Sequence, residues 1–113
     1  IINISSIFGV VSKPKRAAYS TTKWGLIGFT KAVALDLAPY NILVNAVSPG
    51  FVDTQLTRSI LGEKGIKKIT KTIPQKRLGT VEEIAKTVVY LASDHNTYIA
   101  GQNIIVDGGF TSA

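Results

Sequence analysis

Tyr19 and Lys23 stand four residues apart in the run Tyr19-Ser20-Thr21-Thr22-Lys23, a spacing that puts a phenol and an ammonium on one helix face. A free tyrosine has a pKa near ~10, too high for comfortable acid/base work at neutral pH. A cation about 7 Å away, at an effective dielectric of about 20, favours the phenolate by roughly 2.4 kcal/mol. Such a phenol can give a proton to a carbonyl or take one from an alcohol. The pair alone is a weak signal, because Tyr-x-x-x-Lys recurs by chance in many helices.

Two further clusters share the kind of position that ligands favour. Ser6 ends the β-branched run Ile1-Ile2-Asn3-Ile4-Ser5-Ser6, and ligands of open α/β sheets bind beyond the carboxyl ends of the strands. Its hydroxyl could hold a substrate oxygen while Tyr19 moves the proton; the alternative is a strand-end turn residue. Ser48-Pro49-Gly50-Phe51-Val52-Asp53-Thr54 follows a second apolar run in the same way. There Gly50 would let a flat ligand approach. Backbone groups at Val52 and the hydroxyl of Thr54 could bind an amide or a phosphate; the alternative is a plain strand-to-loop turn.

The elements that must position these residues follow from periodicity. Residues 1–6 read as a strand buried on both faces, and 7–16 as a loop with Gly9, Ser12 and Pro14. A helix is expected from about Ala17 to Ala38, with Leu26, Phe29, Val33 and Leu37 on its buried stripe. Gly25, Gly28 and Ala32 beside that stripe suggest close approach of another backbone. Asn41 suits the left-handed conformation that ends a helix. Ile42 to Val47 reads as a second strand, stopped by Ser48-Pro49-Gly50. Residues 51–79 read as an excursion of one or two short helices broken at Gly62, Gly65, Pro74 and Gly79. Thr80 with Glu83 forms a capping box for a helix through about Ala92, whose buried face is Ile84, Val88 and Leu91. Gln102 to Val106 is a third strand. The order β-α-β-insert-α-β implies an α/β fold with a parallel sheet, in one domain over residues 1–113.

Composition excludes several classes. The 113 residues are 45% hydrophobic and 18% charged, which suits a globular protein and argues against disorder. No apolar run approaches the roughly 20 residues of a membrane span, and the N-terminus has no signal-peptide pattern. There is no cysteine and a single histidine, so thiolate metal sites are excluded and no metal site is expected. The net charge of +6 reads either as a solvated basic face or as attraction for an acidic ligand. Basic residues without interleaved aromatics or a binding module do not suggest nucleic acid.

In order and spacing, Asn3-Ile4-Ser5-Ser6, Tyr19-x-x-x-Lys23, Asn45-Ala46-Val47-Ser48-Pro49-Gly50 and Val106-Asp107-Gly108-Gly109 resemble the short-chain dehydrogenase/reductase family. The resemblance covers essentially the whole chain. It looks closest to 3-oxoacyl-acyl-carrier-protein reductase-like members. It implies the C-terminal half of a Rossmann-type doubly wound sheet, with a substrate lid at about 55–79. It also implies hydride transfer between NAD or NADP and a carbonyl or secondary alcohol. By the resemblance, Tyr19 is the general acid/base and Ser6 orients the substrate oxygen. Lys23 binds the nicotinamide ribose and lowers the tyrosine pKa. Pro49, Gly50, Val52 and Thr54 meet the nicotinamide. The helix at about 17–38 would join subunits of a homo-oligomer, a dimer or tetramer. Acyl carrier protein is an implied partner, and the cytoplasm the implied location.

The departures carry expectations too. The family's glycine-rich turn, its NAD/NADP-selecting residue and its fourth catalytic Asn have no counterpart here, so the dinucleotide-binding half is expected in a longer polypeptide. The isolated 113-residue chain is therefore expected to be inactive. Asn41 replaces the family's usual Gly, and Ala100 stands where Thr or Asn is common. Tyr40 occupies a place where carrier-protein reductases can have Arg, which weakens the carrier-protein assignment. A sugar or polyol dehydrogenase shares every motif. A non-catalytic assembly module is the competing class.

Overall fold

Three short strands run parallel in spatial order β1 (Ile2–Ile4), β2 (Asn45–Pro49) and β3 (Asn103–Val106), in a computed structural model that describes all of residues 1–113. Ile2 pairs with Asn45 and Ile4 with Val47, while Ala46 pairs with Asn103 and Pro49 with Val106. Pro49 is the last residue of β2, where a missing N–H costs the ladder least. The second strand thus begins later than Ile42 and includes Ser48 and Pro49. Proline here closes the strand from within.

Successive side chains of a strand point to opposite faces, and Val44 through Ser48 are all inaccessible to solvent. The sheet is therefore covered on both sides at β2, and the core gathers there. Its buried Asn45 is fully used: Nδ2 donates to the Ile99 carbonyl at 2.6 Å, and Oδ1 accepts from the Gln102 amide at 2.9 Å. Those bonds pin the loop that enters β3. By contrast β1 pairs only with β2, and Ile1 and Ile4 are exposed. Within residues 1–113 β1 forms one edge of the sheet, which leaves its outer side uncovered.

The helix α1 (Ala17–Leu37) packs over β2. Its buried residues are Ser20, Thr30 and Ala34, whereas Phe29, expected in the core, is 57% exposed. The packed face lies about a quarter turn from the expected stripe. Small and hydroxyl-bearing residues let the helix approach closely. The Thr30 hydroxyl satisfies itself by donating to the Leu26 carbonyl and accepting from Asn3 Nδ2. Gly9 completes the fit, since a β-carbon there would come within 2.9 Å of the Lys23 carbonyl oxygen. A short 3-10 turn follows α1, and Asn41 closes it at φ 55° in the left-handed region, as its side chain allows.

The excursion is more regular than its breakers suggest. Helix α2 (Gln55–Thr72) is interrupted at Gly62 (φ 61°, ψ 176°) and runs through Gly65. Helix α3 (Val81–Ala92) opens on the expected capping box, with Thr80 and Glu83 bonded reciprocally, and packs against β1 and β2. No helix is long and apolar enough to cross a membrane.

Candidate active site

Ser6 and the Lys23 ammonium lie at the C-terminal end of β1, and Tyr19 stands beside Lys23. Ser6 follows the strand directly and begins a 3-10 turn (Ile7–Gly9), where its Oγ accepts the Phe8 amide at 3.2 Å. That bond uses the oxygen as acceptor and leaves its O–H free to donate outward. Lys23 reaches back from the first turns of α1 and donates Nζ to the Ile4 carbonyl at 3.0 Å. Its ammonium is then 5.7 Å from the centre of the Tyr19 ring. Ser5 adds a second tie by donating to the Lys23 carbonyl at 3.0 Å. The side chain of Tyr19 is exposed, and its ring meets Phe8 edge to face with centroids 6.2 Å apart.

The end of β2 continues this edge. Phe51 stacks edge to face on Phe8 at 6.3 Å and on Phe110 at 5.3 Å. Tyr19, Phe8, Phe51 and Phe110 therefore form one aromatic row across the ends of the strands. Val52 and Gly79 form an isolated parallel bridge, made through the Phe51 carbonyl and the Asp53 amide. The amide and carbonyl of Val52 itself take no part in it. Beside them lies an open apolar cleft of about 480 Å³, lined by Pro49, Val52, Thr54, Ile84, Val88 and Val89 among others.

Gly50 and Thr54 also have partners within the chain. Gly50 is required for contact within the chain: a β-carbon at Gly50 would fall 2.7 Å from the Asp107 Cα. The Asp107 turn occupies the side of Gly50 on which a β-carbon would project. Thr54 caps α2, accepting the Thr57 amide at 3.1 Å and donating to the Thr57 hydroxyl at 3.0 Å. Its hydroxyl thus makes two local bonds and keeps one lone pair free to accept.

Residues 1–111 match the family described as enoyl-(acyl carrier protein) reductase. The 3-oxoacyl-acyl-carrier-protein reductase FabG of Aquifex aeolicus is 49% identical over 109 residues, covering 96% of this chain and 44% of that protein. The chain belongs to the short-chain dehydrogenase/reductase family. Trans-4-hydroxycyclohexanecarboxylate dehydrogenase of Sinomonas cyclohexanicum is 46% identical over 112 residues, covering 99% of this chain and 41% of that one. Among solved structures, ElxO with NADP bound superposes at a TM-score of 0.93 with 36% identity, over all of this chain and 46% of that one. 4-Hydroxyisoleucine dehydrogenase complexed with NADH gives 0.94 and 36%, over all of this chain and 47% of its own. This short-chain dehydrogenase/reductase chain thus spans under half the length of each of these relatives, and its fold is the Rossmann-type α/β fold of those neighbours.

The electrostatics of this short-chain dehydrogenase/reductase chain separate the turns that hold the site from the site itself. Burial pushes the Asp107 carboxyl up, but hydrogen bonds from the Thr111 hydroxyl and amide, and from the Gly109 and Phe110 amides, outweigh it and hold the pKa below the usual value. Glu83 is drawn down to about 2, first by the Arg77 guanidinium that binds it twice and then by the Thr80 amide. Arg58 pairs with Asp53. No cluster of three or more potential ligand side chains could hold a metal ion.

Sequence reasoning missed Phe8, Phe110 and Arg16. Arg16 stands 5.9 Å from the Tyr19 ring and 6.0 Å from the Phe8 ring. Its position three residues before Tyr19 is the signal available in the sequence.

Proposed function

We propose that this chain is the proton-transfer half of an NAD(P)-dependent oxidoreductase acting on a carbonyl or secondary alcohol. The observation that carries the reading is the placing of Ser6 and the Lys23 ammonium at one strand end, with Lys23 tied to Ile4 and Tyr19 beside it. In the reducing direction the Tyr19 phenol donates its proton to the substrate oxygen, and in the oxidising direction it takes one back. Ser6, whose oxygen already accepts from Phe8, donates its O–H to the same substrate oxygen and orients it. Lys23 spends one N–H on Ile4 and has two more for the cofactor ribose.

The nicotinamide supplies or accepts the hydride. The residues present fit such a group. The apolar cleft beside Pro49 suits a flat ring, and Val52 offers an amide and a carbonyl, the pair that a carboxamide needs. Gly50 acts there indirectly, by letting the Asp107 turn seat against β2. Thr54 acts by starting α2 at the rim. The glycine-rich dinucleotide turn belongs, in this reading, to the part of the relatives that the chain does not span.

A 3-oxoacyl thioester is the leading substrate, with α2 as the lid and acyl carrier protein as the carrier; the FabG-type relative at 49% identity supports it. A small-alcohol dehydrogenase is the second reading, favoured by the hydroxy-acid dehydrogenase at 46%. The outer face of α1 serves subunit association. No atom lies within 4 Å of a β-carbon built at Gly25 or Gly28, and Trp24 and Leu35 are exposed beside them.

The test is Tyr19→Phe in the full-length polypeptide that carries these residues, with NAD(P)H oxidation followed against a 3-oxoacyl thioester. Turnover should fall at least ~100-fold; wild-type rates in the variant would overturn the assignment. The 113-residue chain alone should show no turnover.

A further inference from the structure

The loop ahead of α1 brings two cations to the rings of the site. Lys13 Nζ stands 5.4 Å from the Phe8 centroid, and the Arg16 guanidinium stands about equally near Phe8 and Tyr19, at 6.0 and 5.9 Å. With Lys23 at 5.7 Å from Tyr19, three positive side chains surround two stacked rings. None has a carboxylate partner. The chain's two ion pairs are Arg58–Asp53 and Arg77–Glu83, both away from this loop. Lys23 is already held by Ile4, which leaves the forked Arg16 and the point charge of Lys13 with unused donors.

Like charges gathered at one place repel unless an anion joins them. A planar guanidinium suits the two oxygens of a carboxylate or phosphate. We infer that Lys13 and Arg16 form a subsite for an anionic group on the substrate, a few bonds from the oxygen that meets Tyr19. This rests on Tyr19 being the reacting residue, and it deepens that reading by naming a substrate class. The substrate is a carbonyl compound or alcohol whose skeleton carries a carboxylate or a phosphate. Its reacting oxygen lies at Tyr19 and Ser6, its carbon chain crosses the Phe8 ring, and its anion reaches the guanidinium. Arg16 and Lys13 are specificity residues here and take no part in proton transfer.

The full-length polypeptide is assayed with acetoacetate against methyl acetoacetate, and with hydroxyacetone phosphate against hydroxyacetone. One charged member should be preferred over its neutral twin, and which one identifies carboxylate or phosphate as the anion. Arg16→Ala and Lys13→Ala should each cut that preference about tenfold, through KM, as loss of a charge-assisted contact requires. Lys15→Ala, whose side chain touches neither ring, should leave the preference within about twofold. Equal rates for both twins, no change in Arg16→Ala, or an equal loss in Lys15→Ala would each overturn the subsite. A second readout needs no turnover: malonate titrated calorimetrically should bind the wild type, and Arg16→Ala at least about tenfold more weakly. A wild type that binds neither malonate nor inorganic phosphate would overturn it too. If Tyr19→Phe kept full activity while these binding differences stood, the catalytic assignment would fall and the subsite would remain.

Discussion

The Lys23 ammonium donates to the Ile4 carbonyl at 3.0 Å, so the lysine of the site joins α1 to the end of β1 two residues before Ser6. The same side chain therefore sets the local charge and the spacing of helix and strand. Lys23→Met is expected to lower kcat/KM of the full-length polypeptide at least ~100-fold. Thermal unfolding should show a loss of only about 0.5–1.5 kcal/mol, the worth of one hydrogen bond. A variant with near-normal steady-state kinetics would count against any role for Lys23 in the chemistry.

Gly50 and Gly28 separate packing from freedom. At Gly50 an added β-carbon would meet the Asp107 backbone at 2.7 Å, so Gly50→Ala should destabilise by about 1–3 kcal/mol. At Gly28 nothing lies within 4 Å and the residue is inside α1, so Gly28→Ala should be neutral or stabilising by up to ~1 kcal/mol in a monomer. Urea unfolding of both variants checks the pair.

Acid should loosen the two turns that hold the site. Glu83 has an ordinary value of 4.5 and sits at about 2 in the fold. A depressed carboxyl contributes stability above its unfolded pKa and loses it as pH falls through the folded one. The contribution of Glu83 is therefore complete above pH 4.5 and decays toward pH 2. Asp107 is depressed in the same direction by its bonds to Thr111 and the neighbouring amides. Urea midpoints measured from pH 6 down to 2.5 should fall less steeply in Glu83→Gln and in Asp107→Asn. Parallel wild-type and variant curves would exclude these groups.

The outer face of α1 gives a solution test. Trp24, Phe29 and Leu35 are exposed on a helix whose opposite side packs on the sheet, and a contiguous apolar face of this kind marks an interaction surface. Phe29→Glu in the full-length polypeptide should shift light-scattering mass toward the monomer. An unchanged mass would remove this face from the interface.

What could be read from the residues alone was what neighbours in sequence decide. The Thr80–Glu83 box, the left-handed Asn41, the break at Gly62 and the one-turn spacing of Tyr19 and Lys23 all depend on contacts within a few residues. Side chains that near have one geometry open to them, so type and spacing suffice. The parallel α/β order was legible for the same reason, since short apolar runs alternated with helical ones.

Tertiary structure decided the rest, because distant partners compete for each face. Hydrophobicity favoured Phe29 for the core, but the sheet took Ser20, Thr30 and Ala34, which allow closer approach. That Gly50 also makes room for the Asp107 turn depends on a partner far along the chain. In the sequence Arg16 and Lys13 are part of a charge excess that suits a solvated face or an acidic ligand alike; only the turn at Ser6 places Phe8 beside Tyr19 and gives both cations a ring to rest on. Residue types and spacing named Tyr19 and Lys23, and long-range packing determined what surrounds them.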